Sequence, residues 1–210
     1  MLQVLLRVVV VLLALVGALA VTAAAWFAAG GISARATPGR AETVVARRLR
    51  AAAIPRAARD LRAPVAQTRE SLRSGLEHFA DHCAVCHAND GSGDAEMGKG
   101  LYPPAPDMRK GATQDLTDGE LFYIIENGVR FTGMPAWATG TSEGETASWH
   151  LVQFIRHLPK LTDAELEEMK GLNPKSADQW REEEETRRFL SEEDNAPAPP
   201  RPRHRHGEHQ

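Results

Sequence analysis

Cys83 and Cys86 are the only cysteines in the 210 residues, and His87 follows the second directly. A bridge between residues three apart would staple almost nothing, so this chain is not a disulfide scaffold. The spacing instead suits covalent haem attachment. Two thiols at i and i+3 reach both vinyl groups on one porphyrin edge and become thioethers. The next residue then reaches the iron as an imidazole. Three rival readings of these residues explain less. Zinc held by Cys83, Cys86, His87 and His82 would need histidines that flank the thiols less tightly. A thiol–disulfide centre needs its CxxC after a strand in a βαβ pattern, and no such pattern is present. Two plain core cysteines leave the histidine and the glycine-rich loop after it without a purpose. The residues therefore imply one covalent haem c, with Cys83 and Cys86 as thioether donors and His87 on the iron.

Iron needs a second axial ligand, and a thioether sulfur that favours Fe(II) suits an electron carrier. Downstream stand Met97, Met108, Met134 and Met169. Met134 lies in Thr132-Gly133-Met134-Pro135, where glycine allows close approach and proline stiffens the loop. It also falls between two predicted helices, so the loop can fold over the distal face.

Those helices are read from caps and periodicity. Thr68 is an N-cap for a helix through His82, with Leu72, Leu76 and Phe79 as its apolar stripe. A loop rich in Gly and Pro runs from Ala88 to Gln114. Thr117 and Glu120 form a capping box before Leu121, Phe122, Ile124 and Ile125, and Asn127-Gly128 closes that helix. Ser142 and Glu145 form a second box, opening a helix with Trp149, Val152, Phe154 and Ile155 that Pro159 stops. Thr162 and Glu165 form a third, for a helix ending at Gly171. No alternating apolar run is long enough for a strand, so the fold class is all-α.

From Val8 to Ala29 the chain runs 22 residues without a charge. As a helix this spans roughly 33 Å, about the thickness of a bilayer core. A cleaved signal peptide is the alternative, with Ala18-Leu19-Ala20 or Ala23-Ala24-Ala25 as its cleavage site. The length of the run and Trp26-Phe27 favour a retained anchor. The sequence thus divides into an anchor (1–29), an Arg-rich spacer (30–67), a haem domain (68–159), a charged helical extension (160–195) and a disordered tail (196–210). In the spacer, Thr37-Pro38 offers a helix start, Val45 and Leu49 share one face, and Pro55 offers a stop. It either lies on anionic lipid headgroups or is a solvated arginine helix. The net charge of −3 hides this asymmetry, because ten arginines fall within 30–75 and acid dominates afterwards. Without a uniform basic face, nucleic-acid binding is excluded. Glu182–Glu185 read as an exposed helix face, and the histidines of 203–209 as a solvated tail.

Across residues 68–159 the chain resembles the class I cytochrome c family, of the membrane-anchored bacterial type. The resemblance rests on Gly75 and Phe79 ahead of Cys83-Ala84-Val85-Cys86-His87, then Tyr102-Pro103-Pro104, Gly133-Met134-Pro135, Trp149 and Phe154. It implies a small all-α fold around one haem in which the first and last helices cross tightly. Gly75 would permit that crossing, and Phe79 would meet the terminal helix near Phe154. It also implies that the carbonyl of Pro103 or Pro104 accepts a hydrogen bond from the proximal imidazole. Trp137 resembles the family's aromatic beside the haem propionates, although a hydrophobic plug would read the same. Ala88 stands where many members have glycine.

The expected function is electron transfer by a His87/Met134-ligated haem, without bond chemistry on a substrate. The partners would be redox proteins or a membrane respiratory or dehydrogenase complex. A sensor whose sixth site opens to a ligand is the rival. The positive-inside rule would place the arginine side in the cytoplasm. The family's thioether assembly takes place outside the bacterial cytoplasmic membrane, which requires export. The chemistry outweighs a statistical bias, so the haem domain is expected on the periplasmic or outer side of a single-pass anchor.

Overall fold

The computed structural model describes residues 1–64 and 66–194, all-helical with no strand among those described. Helix α1 (Leu2–Gly30) is long and apolar enough to cross a bilayer, and the same properties suit a signal sequence. Helix α2 (Arg40–Ala53) begins after Gly39, not at Thr37-Pro38, because the Glu42 side chain reaches back to accept from the Gly39 N–H. Pro55 separates it from one turn, α3 (Arg56–Arg59). The remaining helices of the first unit follow: α4 (Arg69–His78), a π-turn (Phe79–Cys83), α5 (Ala84–His87), α6 (Glu96–Lys99), α7 (Gly111–Gln114), α8 (Asp118–Asn127), α9 (Ser142–His157) and α10 (Asp163–Leu172). Helix α11 (Ala177–Asp194) lies in a separate compact unit that starts at Asn173.

Helix starts are set by side chains that satisfy the orphan N–H groups of the first turn. The Thr68 hydroxyl accepts from the Ser71 N–H, and the Ser71 hydroxyl accepts from the Thr68 N–H. Thr117 and Glu120 exchange the same pair of bonds for α8, and Thr162 and Glu165 for α10. For α9 the cap is Thr141, one residue earlier than expected, its hydroxyl accepting from the Gly144 N–H. Thr139 and Thr141 hydroxyls lie 3.0 Å apart. That loop contact settles the choice between two adjacent hydroxyl residues.

The core forms where α4 crosses α9. The crossing face of α4 is small: Ser71, Ser74 and Gly75. The Ser71 hydroxyl donates to Gln153 Oε1 at 2.6 Å in the buried interface, and Ser74 Oγ lies 3.1 Å from His150 Nδ1. This closeness lets Phe79 and Phe154 meet with ring centroids 5.2 Å apart, both essentially sealed from water. Burying each ring contributes about 2–3 kcal/mol. Helix α8 adds Leu121 and Ile125, and Phe122 stacks on Trp149 with centroids 4.3 Å apart. Arg156 ties the end of α9 to the start of α8, donating to Asp118 Oδ1 at 2.9 Å and to the Gln114 carbonyl at 2.7 Å. Helix α10 closes the far side with Met169, which is fully buried.

The segment before Thr68 also packs. Ile54 and Ala58 are buried, and the Ala58 carbonyl sits where a side chain on Gly119 would have to be. Thr117 donates to the Arg59 carbonyl at 3.0 Å, and Arg59 lies 3.5 Å from Glu120. The Tyr102 hydroxyl donates to Glu42 at 2.5 Å across 60 residues of sequence.

In the second unit, Ser176 and Gln179 form a capping box for α11. Glu182–Glu185 are exposed, as expected for a solvated face. The expected tail, 196–210 with its histidines, lies outside the described residues.

Candidate functional site

Phe79–Cys83 make i→i+5 bonds, so this turn takes one residue more than an α-turn would. The helix then resumes as α5, which ends at His87. One nearly continuous helical run therefore carries the core contact of Phe79 and presents Cys83, Cys86 and His87 at its end. Both cysteines are free and partly exposed, while His87 is buried. Burial pushes the Cys83 thiol up to about 12, with the nearby Cys86 adding to the rise, and burial also raises Cys86. Both thiols are thus protonated at neutral pH, unlike those of a reactive redox pair. Burial lowers His87 to about 4, with the Pro106 backbone pulling the other way. Its imidazole is therefore neutral, the form that ligates a metal.

The His87 ring carries a buried Nδ1 that meets no partner at hydrogen-bonding geometry. A buried, neutral imidazole one residue beyond two partly exposed thiols fits a haem bound by thioethers and axial nitrogen.

The loop after His87 wraps back against the motif. The Gly93 N–H donates to the His87 carbonyl at 2.8 Å, and Gly98 lies directly against the Cys86 carbonyl. The prolyl backbone acting on His87 is that of Pro106, and neither Pro103 nor Pro104 has this role. Two long-range bonds set the loop's path, Ala105 N–H to Gly98 carbonyl at 3.0 Å and Met108 N–H to Gly91 carbonyl at 2.8 Å. They press residues 105–106 against Gly93, beside the histidine. Ala88 holds φ 58° and ψ 159°, a region nearly restricted to glycine. That is the physical reason a glycine suits this position.

The four methionines differ in setting. Met97 is exposed on α6, Met108 is buried in the core, and Met169 is sealed under α10. Met134 alone of these is half-buried in a loop. Its N–H donates to Thr132 Oγ1 at 3.1 Å and its carbonyl accepts from the Val129 N–H at 3.1 Å. Gly133 lies against the Leu101 side chain, so the two glycine-bearing loops touch. Trp137 packs against the core, and its N–H donates to the Ile125 carbonyl at 3.1 Å. Its ring stands edge-on to His82, the residue before Cys83, with centroids 5.3 Å apart. The Met134 loop and the cysteine turn are thus neighbours within the first unit.

Sequence reasoning missed Phe131. Its ring is 92% exposed and its backbone is left-handed at φ 63°. A bulky aromatic gives no signal for that conformation.

A helical crossing, a CxxCH run on the first helix and a methionine loop beside it are the features the cytochrome c resemblance implies. The family model described as cytochrome c oxidase, cbb3-type, subunit III matches residues 70–155, from the first turn of α4 almost to the end of α9. Residues 70–155 thus form a domain of the class I cytochrome c family. That membership implies a haem cofactor, haem-based electron transfer and redox partner proteins.

Proposed function

We propose that this protein is a membrane-tethered electron carrier, or the haem subunit of a respiratory complex, with one haem c. Cys83 and Cys86 hold it by thioethers, and His87 and Met134 are its axial ligands. When bound, the haem supplies a one-electron Fe(III)/Fe(II) couple. The protein's own residues bind, orient and shield. The rigid crossing of α4 and α9 fixes the direction of the Cys83–His87 run. The Pro106 backbone beside His87 favours one tautomer and ring angle. The loop bearing Met134 is pinned at both ends by backbone bonds, so a sulfur ligand is offered with little freedom to leave.

The observation that carries the reading is the shared location of the Cys83–His87 run and the Met134 loop, bridged by Trp137 on His82. The core burial of Met108 and Met169 supports Met134 as the sulfur ligand. The model matched is described as a subunit of a cbb3-type cytochrome c oxidase. A terminal oxidase is therefore the partner class this reading favours. The haem domain lies on the outer side of the cytoplasmic membrane, with the terminal amine inside. Export is required because thioether assembly in this family is extracytoplasmic. Protease on intact spheroplasts should digest the haem domain and spare a tag before Met1.

The central test is acid–acetone extraction of protein matured in a host competent for thioether formation. Wild type should retain its haem, and Cys86→Ala should weaken or abolish attachment. Complete release from wild type would overturn the proposal.

A further inference from the structure

Helix α2 has two faces with different tasks. On one side Glu42 accepts from Tyr102, and Ile54, just past the helix end, is buried. Arg59 donates to the Ala51 carbonyl on the same helix. These contacts fix α2 to the haem domain. Another side carries Val44, Val45 and Leu49, which are 57%, 56% and 65% exposed. At about 100° per residue, Ala41, Val44, Val45, Leu49 and Ala52 fall within one arc of about 140°. Arg48 projects within that arc, and Arg40 and Arg47 flank it, about 40° and 60° beyond the Val44 edge, all three exposed. Apolar residues interleaved with arginines, whose long stems can lie along an apolar surface while the charge stays wet, are the composition of an interfacial helix. Only residues 31–39 separate α2 from α1, a reach of at most about 32 Å.

We infer that α2 is a bracket between the haem domain and the membrane, its Val44/Val45/Leu49 face seated on anionic lipid headgroups. This rests on the membrane tether proposed above. The charge selects the occupant: one exposed arginine within this face and two flanking it match an anionic lipid surface, and Glu42, the only acid in α2, is engaged by Tyr102. Because the other side of α2 is joined to Tyr102 and to Arg59, seating the helix also sets the tilt of the haem domain. Tyr102 adjoins Leu101, which packs on Gly133 beside Met134. The membrane-facing helix and the axial loop are therefore two contacts apart.

The test uses the full haem-loaded chain in vesicles of phosphatidylcholine with phosphatidylglycerol, or of phosphatidylcholine alone. Val45→Cys is compared with Glu143→Cys, an exposed site at the start of α9, by the rate of reaction with a membrane-impermeant maleimide. In anionic vesicles position 45 should react about tenfold more slowly than position 143, as burial at the headgroup boundary requires. The difference should shrink in phosphatidylcholine alone, or when Arg40, Arg47 and Arg48 are changed together to Gln. Equal rates at 45 and 143 in anionic vesicles would overturn the bracket. So would equal protection in both vesicle types, which would point to a second protein chain as the cover. Vesicle flotation reads the tether separately: a chain that does not float overturns tether and bracket together, and one that floats with position 45 open overturns the bracket alone. The reduced visible spectrum reports that each variant keeps its haem site.

Discussion

Gly75 meets His150 so closely that a methyl group on its Cα would lie 2.3 Å from the His150 carbonyl oxygen and 2.8 Å from Phe154 Cβ. Neither neighbour is the far end of a flexible chain. Gly75→Ala should therefore push α4 away from α9 and cost about 2 kcal/mol or more of stability, as overpacking of a tight interface does. Denaturant titration followed by tryptophan fluorescence measures it. A loss below about 0.5 kcal/mol, the size of an ordinary surface substitution, would show that the crossing is looser than described.

Met134→Ala should abolish the weak red absorption band of sulfur-ligated ferric haem and lower the reduction potential, because a ligand favouring Fe(II) is lost. The exposed Met97→Ala is the matched control and should leave both unchanged. Met108 is a poorer control, since its burial means that truncation would cost about 2–5 kcal/mol of stability for reasons unrelated to iron. Met108→Leu avoids that cost and should keep the band. Survival of the band in Met134→Ala, with its loss in Met108→Leu, would transfer the ligand role to Met108.

Ala88→Gly should stabilise the protein. The alanine holds a backbone conformation that only glycine adopts freely, and relief of such strain is worth about 1–3 kcal/mol, less the extra entropy glycine has when unfolded. A net gain near 1 kcal/mol, read as a higher thermal midpoint, is expected. An unchanged or lower midpoint would mean that residue 88 is not strained.

Asp107 ties the proximal loop together. Arg109, hydrogen-bonded at 2.9 Å, holds its carboxyl well below the usual carboxylate range; burial opposes this, and Lys110 at 3.1 Å assists. A carboxylate depressed in the fold stabilises fully above its unfolded value of about 4 and loses that contribution as pH falls toward the folded value. Asp107→Asn should therefore cost most near neutrality, and its gap to wild type should narrow as pH drops below about 4. A gap independent of pH between 2 and 7, on the order of the carboxylate titration range, would remove the carboxylate from the argument.

The parts of this fold legible in the sequence are those written in local chemistry. The CxxCH spacing is one. The Thr117–Glu120 and Thr162–Glu165 boxes are another, because cap and partner lie within one turn. The meeting of Phe79 with Phe154 came from family resemblance and stands in the structure at 5.2 Å. What escaped was decided at a distance. Three prolines crowd residues 103–106, and only the bonds from Ala105 to Gly98 and from Met108 to Gly91 determine that Pro106 faces His87. The docking of residues 40–62 was hidden for a similar reason. The apolar residues of α2, Val44, Val45 and Leu49, are on its exposed side, and its attachments to the domain are single contacts such as Tyr102 to Glu42.

The π-turn at Phe79–Cys83 gave no sequence signal either, since an i→i+5 bond has no residue preference comparable to a cap. It has a consequence for variants of this chain. Removing one residue between Phe79 and Cys83 would let the helix run as uninterrupted α, a locally more regular structure. Because the π-turn holds one residue more than an α-turn, that deletion would leave the downstream run at nearly its present angle around the axis relative to the anchored face of α4. The same deletion made within α4, where no wide turn absorbs it, would rotate everything downstream by about 100°. There the motif would survive letter for letter and both thiols would point elsewhere, so the position of a gap decides whether it disturbs the cofactor residues.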